Sequence, residues 1–124
     1  MKKIFLSLAL CASFALAEVK NVNINAEILK NYQVIDVRKP SEWEQTGMIK
    51  EAIGISLYNE NGSLNENFVE EVKKVSSEKP IAIVCRSGAR SSQAATLLDQ
   101  NGIDVTNLSG GMNALLLQGY ETTK

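Results

Sequence analysis

Near the middle of the chain a four-residue apolar run, Ile81-Ala82-Ile83-Val84, is followed without a break by Cys85-Arg86-Ser87-Gly88-Ala89-Arg90. The helix-like run Ser91-Ser92-Gln93-Ala94-Ala95-Thr96-Leu97-Leu98 comes next. The apolar run reads as a buried strand, and Asn101-Gly102 closes a helix over about 89–100. This strand–loop–helix unit commits the chain to packing a sheet against helices. It also puts a cysteine at the mouth of a helix, where backbone N–H groups and the helix dipole favour negative charge. With Arg86 and Arg90 flanking it, Cys85 meets the conditions that favour a reactive thiolate.

The rest of the chain repeats the alternation. Asn25 is placed to cap a short helix over 26–30, and Gln33-Val34-Ile35-Asp36-Val37 is strand-like. Ser41 is the expected cap of a helical turn that passes Trp43 and Glu44 and ends at Gly47. Ala52-Ile53-Gly54-Ile55 reads as a short buried strand and Asn59-Glu60-Asn61-Gly62 as a turn. Leu64, Phe68, Val72 and Val75 recur at helical spacing, with Lys79-Pro80 as the stop. Residues 103–108 read as a further strand, and Gly110-Gly111 leads into a last helix over 112–118, ended by Gly119. Short apolar strands alternating with helices predict an α/β fold with a largely parallel central sheet flanked by helices on both faces. In such sheets ligands bind beyond the carboxyl ends of the strands. Cys85 and the segment from Asp36 to Arg38 both stand at such ends.

The first 17 residues stand apart from this pattern. Lys2 and Lys3 precede an apolar run from Ile4 to Leu16, and Ala15-Leu16-Ala17 offers small residues where a signal peptidase reads. We expect residues 1–17 to be a secretory signal cleaved before Glu18. Residues 18–124 then form one domain, periplasmic or secreted, with no membrane insertion after cleavage. The apolar run is shorter than the roughly 20 residues of a membrane span. Leu10 stands before Cys11 where a lipidation motif wants a small residue. Without the leader the chain has 11 basic and 14 acidic residues, a net charge of −3, which argues against a nucleic-acid partner.

Once Cys11 has left with the leader, Cys85 is the only thiol. It has no partner for an internal disulfide and reads as a free reactive thiol. The chain has no histidine, which removes Ser-His-Asp and Cys-His triads and the common zinc sets. No glycine-rich nucleotide fingerprint is present. The expected chemistry requires no metal and no cofactor.

Several segments together resemble the rhodanese-like (thiosulfate sulfurtransferase) family in its single-domain form. They are Val34-Ile35-Asp36-Val37-Arg38, Glu42-Trp43 with Gly47-Met48-Ile49, Ala52-Ile53, the stretch from Ile83 to Ser91, and Leu108-Ser109-Gly110-Gly111 with Gly119. They run in family order over nearly all of the chain after the leader. Three positions depart from the family pattern: Met48 where histidine is usual, Leu115 where tryptophan is frequent, and Glu121 where a proline often follows the final glycine-aromatic pair.

The resemblance implies that Cys85 takes a sulfane sulfur from thiosulfate or a similar small sulfur-containing anion. It becomes a persulfide and passes the sulfur to a thiol, cyanide or protein acceptor. Ser87, Gly88, Ala89 and Arg90 are expected to surround the outer sulfur with N–H groups, with Gly88 free to adopt a backbone conformation that a Cβ opposes. Arg86 and Arg38 are expected anion-binding cations, and Arg90, where the loop enters the helix, is expected to fix the loop or pair with an anionic donor. Asp36 is read as holding the strand end, and Trp43 as packing under the loop. Sulfite departs as an anion, so no general acid is needed.

Related cysteine-loop phosphatases have five residues between cysteine and arginine. Here four separate Cys85 from Arg90, a loop suited to one sulfur atom rather than a tetrahedral phosphate. Two other readings stay open: a non-catalytic carrier of persulfide or polysulfide for a periplasmic partner, and a redox-sensing thiol.

Overall fold

The computed structural model describes residues 19–124, and the expected leader over 1–17 lies outside them. Five strands form one sheet: β1 (Lys20–Asn23), β2 (Gln33–Asp36), β3 (Ile53–Gly54), β4 (Ile81–Val84) and β5 (Val105–Ser109). Their order is β1-β5-β4-β2-β3, and every neighbouring pair is parallel. The helices are α1 (Ala26–Leu29), α2 (Pro40–Thr46), α3 (Phe68–Lys73), α4 (Ala89–Gln100) and α5 (Gly111–Leu117).

Because side chains alternate along a strand, the central strands feed two cores. Ile35, Ile83 and Cys85 meet Phe68 and Val72 of α3 and Ala94, Ala95 and Leu98 of α4. On the other face, Val34, Ala82, Val84 and Leu108 meet Leu29 of α1 and Met112 and Leu115 of α5. Both faces of the parallel sheet are covered, as continuous apolar strands require. Among the described residues no helix is long and apolar enough to cross a membrane.

At four places the structure differs from the sequence reading, the first being a strand for which the sequence raised no expectation. Residues 20–23 form a strand although their sequence, Lys-Asn-Val-Asn, carries one apolar residue. They are held by ladder bonds to β5 and by the Asn107 side-chain amide donating to Asn21 Oδ1 at 2.8 Å. The strand expected over 52–55 is a two-residue edge strand whose residues are both exposed. Its Gly54 lies beneath the ring of Trp43, where an added Cβ would sit 2.5 Å from the indole. Trp43 therefore packs on the sheet edge rather than under the cysteine loop.

The third corrects the start of α2, which begins at Pro40 with Lys39 as its cap residue, so Ser41 lies inside the helix. The Ser41 hydroxyl and amide both donate to Glu60, at 2.9 Å each. Pro40 accounts for this, since proline suits the first helical position. Last, the helix expected from Leu64 starts only at Phe68. Asn65 Oδ1 accepts the Asn67 N–H at 3.0 Å, a local turn that competes with helix, and Leu64 stays exposed. By contrast Asn25 caps α1 as expected, accepting the Ile28 N–H at 2.8 Å.

The boundary of α3 yields a test. Phe68 is 1% exposed and Leu64 49%. Phe68→Ala is expected to lower the unfolding free energy by about 3–5 kcal/mol, and Leu64→Ala by about 0.5 kcal/mol or less. Urea denaturation of the two variants compares them directly, and equal losses would return Leu64 to the core.

Candidate active site

The register of β2 against β4 creates the site. Asp36 lies opposite Val84, and the Val37 N–H donates to the Val84 carbonyl at 2.9 Å. The chain therefore leaves both strands at one level, which brings the segment after Asp36 beside Cys85. Cys85 itself is buried. Its Sγ accepts N–H bonds from Gly88 at 3.1 Å and Ser91 at 3.2 Å, and lies 3.4 Å from Ser91 Oγ. Gly88 has φ = +111°, a value that L side chains resist, and this turn is what aims its N–H at the sulfur. Ser91 was not among the expected donors. Its place on the second residue after Ala89 in α4 is set by the helix, not by the loop spacing. The N–H groups of Ser87, Ala89 and Arg90 have no acceptor among the described residues.

The loop is also held from below. The Cys85 and Arg86 carbonyls accept the Met112 and Asn113 N–H groups of α5 at 2.8 and 2.9 Å. An added Cβ on Gly111 would lie 2.5 Å from the Arg86 oxygen and 2.6 Å from the Cys85 oxygen. This close approach is the physical content of the Gly110-Gly111 pair.

The two loop arginines meet one carboxylate. Glu42 of α2 is 8% exposed. It accepts from Arg90 Nη1 at 2.7 Å and Nη2 at 2.8 Å, lies 3.3 Å from Arg86 Nη2, and accepts the Lys39 N–H at 3.0 Å. Such a two-pronged pair is geometrically specific. The Arg90 hydrogen bond holds the Glu42 carboxyl at about 2, well below its ordinary 4.5 and against the opposing effect of burial. Arg90 is raised in turn, first by Glu42 and less by the nearby Cys85 and Asp36. Arg86 keeps its side chain 55% exposed. Sequence reasoning passed over Glu42 as part of a motif. Nothing in its spacing from Cys85 shows that α2 folds back onto the loop.

Arg38 is corrected. It is 1% exposed, and all its side-chain donors are taken within the protein. Nε and Nη2 reach the Asp36 carboxylate at 2.7–3.1 Å, Nη1 reaches Thr46 Oγ1 at 2.7 Å and the Glu42 carbonyl at 3.5 Å, and Nη2 also reaches the Gly47 carbonyl at 2.9 Å. No donor is left for a substrate. Asp36 is fully buried and additionally accepts the Arg38 N–H at 3.0 Å, which is the strand-end role expected for it. A cavity of about 590 Å³ lined by Tyr32, Lys50 and Tyr120 lies at the amino end of β2 and holds none of these residues.

Residues 21–118 match the model of the rhodanese-like domain. The chain belongs to the rhodanese-like family. A sulfurtransferase of Allochromatium vinosum is 37% identical over 87 residues, covering 69% of this chain and 73% of that one. Among solved structures, a rhodanese-related protein from Thermoplasma volcanium superposes with a TM-score of 0.63 at 30% identity, over 79% of this chain and 93% of that one. The polysulfide-sulfur transferase of Wolinella succinogenes shares the fold, with a TM-score of 0.59 at 21% identity over 96% and 88% of the two chains. In this rhodanese-like domain, Cys85 occupies the loop between β4 and α4.

Two measurements follow from the ion pairs. Asp36→Ala leaves the Arg38 guanidinium buried without its counter-charge and is expected to cost about 3–5 kcal/mol of stability, measured by chemical denaturation. For Glu42 the folded-state pKa lies below the unfolded value. Its contribution is therefore complete above about pH 4.5 and is lost as pH falls towards 2. The stability difference between the wild type and Glu42→Gln, followed by denaturation across that range, is expected to shrink with acidification. A difference independent of pH would mean that the Glu42 charge contributes nothing.

Proposed function

We propose that this protein is an exported sulfurtransferase that moves a sulfane sulfur from thiosulfate, or a similar small anion, to a nucleophilic acceptor through a persulfide on Cys85. The observation that carries this reading is the environment of one atom. Cys85 Sγ lies at the base of the turn from β4 into α4 with two N–H groups directed at it and a hydroxyl alongside, an arrangement suited to a thiolate. The Ser87, Ala89 and Arg90 N–H groups have no acceptor among the described residues and Arg86 is exposed, so both are available to a donor anion. Relatives named as sulfurtransferases support the same chemistry.

In the first half-reaction the Cys85 thiolate attacks the outer sulfur of thiosulfate. The new S–S bond forms as the bond to the sulfonyl sulfur breaks, and the electron pair leaves with sulfite. The persulfide keeps one negative charge, which the loop N–H groups are placed to hold. In the second half-reaction a thiolate, cyanide or protein nucleophile takes the terminal sulfur and returns the Cys85 thiolate. No proton has to be delivered to either leaving group, which suits a chain without histidine. The export reading rests on Lys2 and Lys3, the apolar run from Ile4 to Leu16, and Ala15-Leu16-Ala17.

Intact mass of the protein purified from its own export compartment tests both parts. The chain is expected to begin at Glu18. It should gain one sulfur atom on exposure to thiosulfate and lose it to cyanide, while Cys85→Ser gains none. Loading of Cys85→Ser would overturn the mechanism. Loading of the wild type that is released only to a protein partner, without turnover, would favour the carrier reading.

A further inference from the structure

The sulfur-transfer reading leaves open which donors the mouth of the site prefers, and the charges around Cys85 bear on that choice. Two cations flank the loop, but they do not present two free charges. Both terminal nitrogens of Arg90 are occupied by Glu42, at 2.7 and 2.8 Å. Arg86 touches the same carboxylate through one nitrogen at 3.3 Å and is otherwise exposed. Arg38 and Asp36 neutralise each other behind the loop. The mouth above the sulfur therefore carries two positive charges and one negative, and the nucleophile brings its own negative charge.

We propose that Glu42 sets the charge selectivity of the Cys85 site: by holding Arg90 and partly neutralising Arg86, it leaves one net positive charge at the mouth and tilts the site towards singly charged sulfane-sulfur donors. This inference rests on the persulfide reading. A dianion approaching a thiolate needs more compensating charge than a monoanion does, and Coulomb energy near a partly shielded site scales with that difference. Glu42 acts through the arginines. It is a positioning residue, and Arg86 is the cation left to meet the donor.

Thiosulfate, a dianion, and methanethiosulfonate, a monoanion of similar shape, are suitable probes. Each donates its outer sulfur to the Cys85 thiolate, the first releasing sulfite and the second methanesulfinate, with charge balanced in both steps. The readout is the ratio of their second-order rates of loading Cys85, followed by intact mass in the wild type, Glu42→Gln, Glu42→Asp and Arg86→Gln. Glu42→Gln is expected to raise the thiosulfate-to-methanethiosulfonate ratio by roughly three- to tenfold, the larger value at low salt. Glu42→Asp keeps the charge and is expected to leave the ratio within about twofold even if both rates fall. Arg86→Gln, at an exposed side chain, is expected to lower the ratio and provides an independent arm should the Glu42 variants misfold.

An unchanged ratio in Glu42→Gln, with both rates reduced alike, would make Glu42 only a strut of the loop and overturn the proposal. An unchanged ratio in Arg86→Gln would do the same. Wild type that is loaded by neither donor would instead remove the sulfur-transfer reading, and this inference with it.

Discussion

A guanidinium placed beyond the reach of water must find protein acceptors for all of its donors, because each unmet donor keeps its desolvation cost. Arg38 meets this demand by drawing together the carboxylate at the end of β2, the Thr46 hydroxyl at the end of α2 and the carbonyls of Glu42 and Gly47. That interaction fixes where α2 lies after the chain leaves the sheet. The C-terminal segment adds to it: the Thr122 hydroxyl donates to the Thr46 carbonyl, and Met48 and Thr123 exchange backbone bonds at 2.8 and 2.9 Å. Because α2 is held in this way, Glu42 is delivered to the rim of the cysteine loop. Without the buried pair, the carboxylate that organises Arg86 and Arg90 has no fixed position.

The reactive loop is thus anchored on two sides by different physics. From α2 comes a charged, directional contact through Glu42. From α5 come two backbone N–H groups bonded to the Cys85 and Arg86 carbonyls, at a separation only glycine at position 111 permits. Between them the sulfur accepts two N–H bonds. A group that must attack in one geometry gains from having its supporting shell fixed beforehand. The departures from the family pattern fall outside this shell. Leu115 fills the core against α1 and β5, Met48 bridges to Thr123, and Glu121 is exposed.

Much of the fold was legible because its signals are local. The Ile81–Val84 run, the glycine at 88 and the helix over 89–100 are each specified by their own residues, and together they located the cysteine loop. The α/β alternation and the parallel sheet followed from the same patterns. The missed elements are those whose stability comes from a neighbour. β1 exists because β5 offers an unpaired edge and an asparagine partner. The strand at 53–54 is exposed because it is the last in the sheet. The helix after Asn67 starts late because a side-chain turn competes with it.

The site divides along the same line. The sequence by itself determined that the Cys85 thiol would sit at a strand end beside N–H groups and cations, since the loop residues and the helix start are contiguous in the chain. It did not separate the roles of three arginines of equal charge. Tertiary structure decided that Arg38 is buried against Asp36, that Arg90 is held by Glu42 and that Arg86 is the most exposed of the three. The reason is that a cation's role depends on which carboxylate packs beside it. The Glu42–Arg90 pair spans 48 residues of chain, a distance that only the folding of α2 onto the mouth of α4 closes.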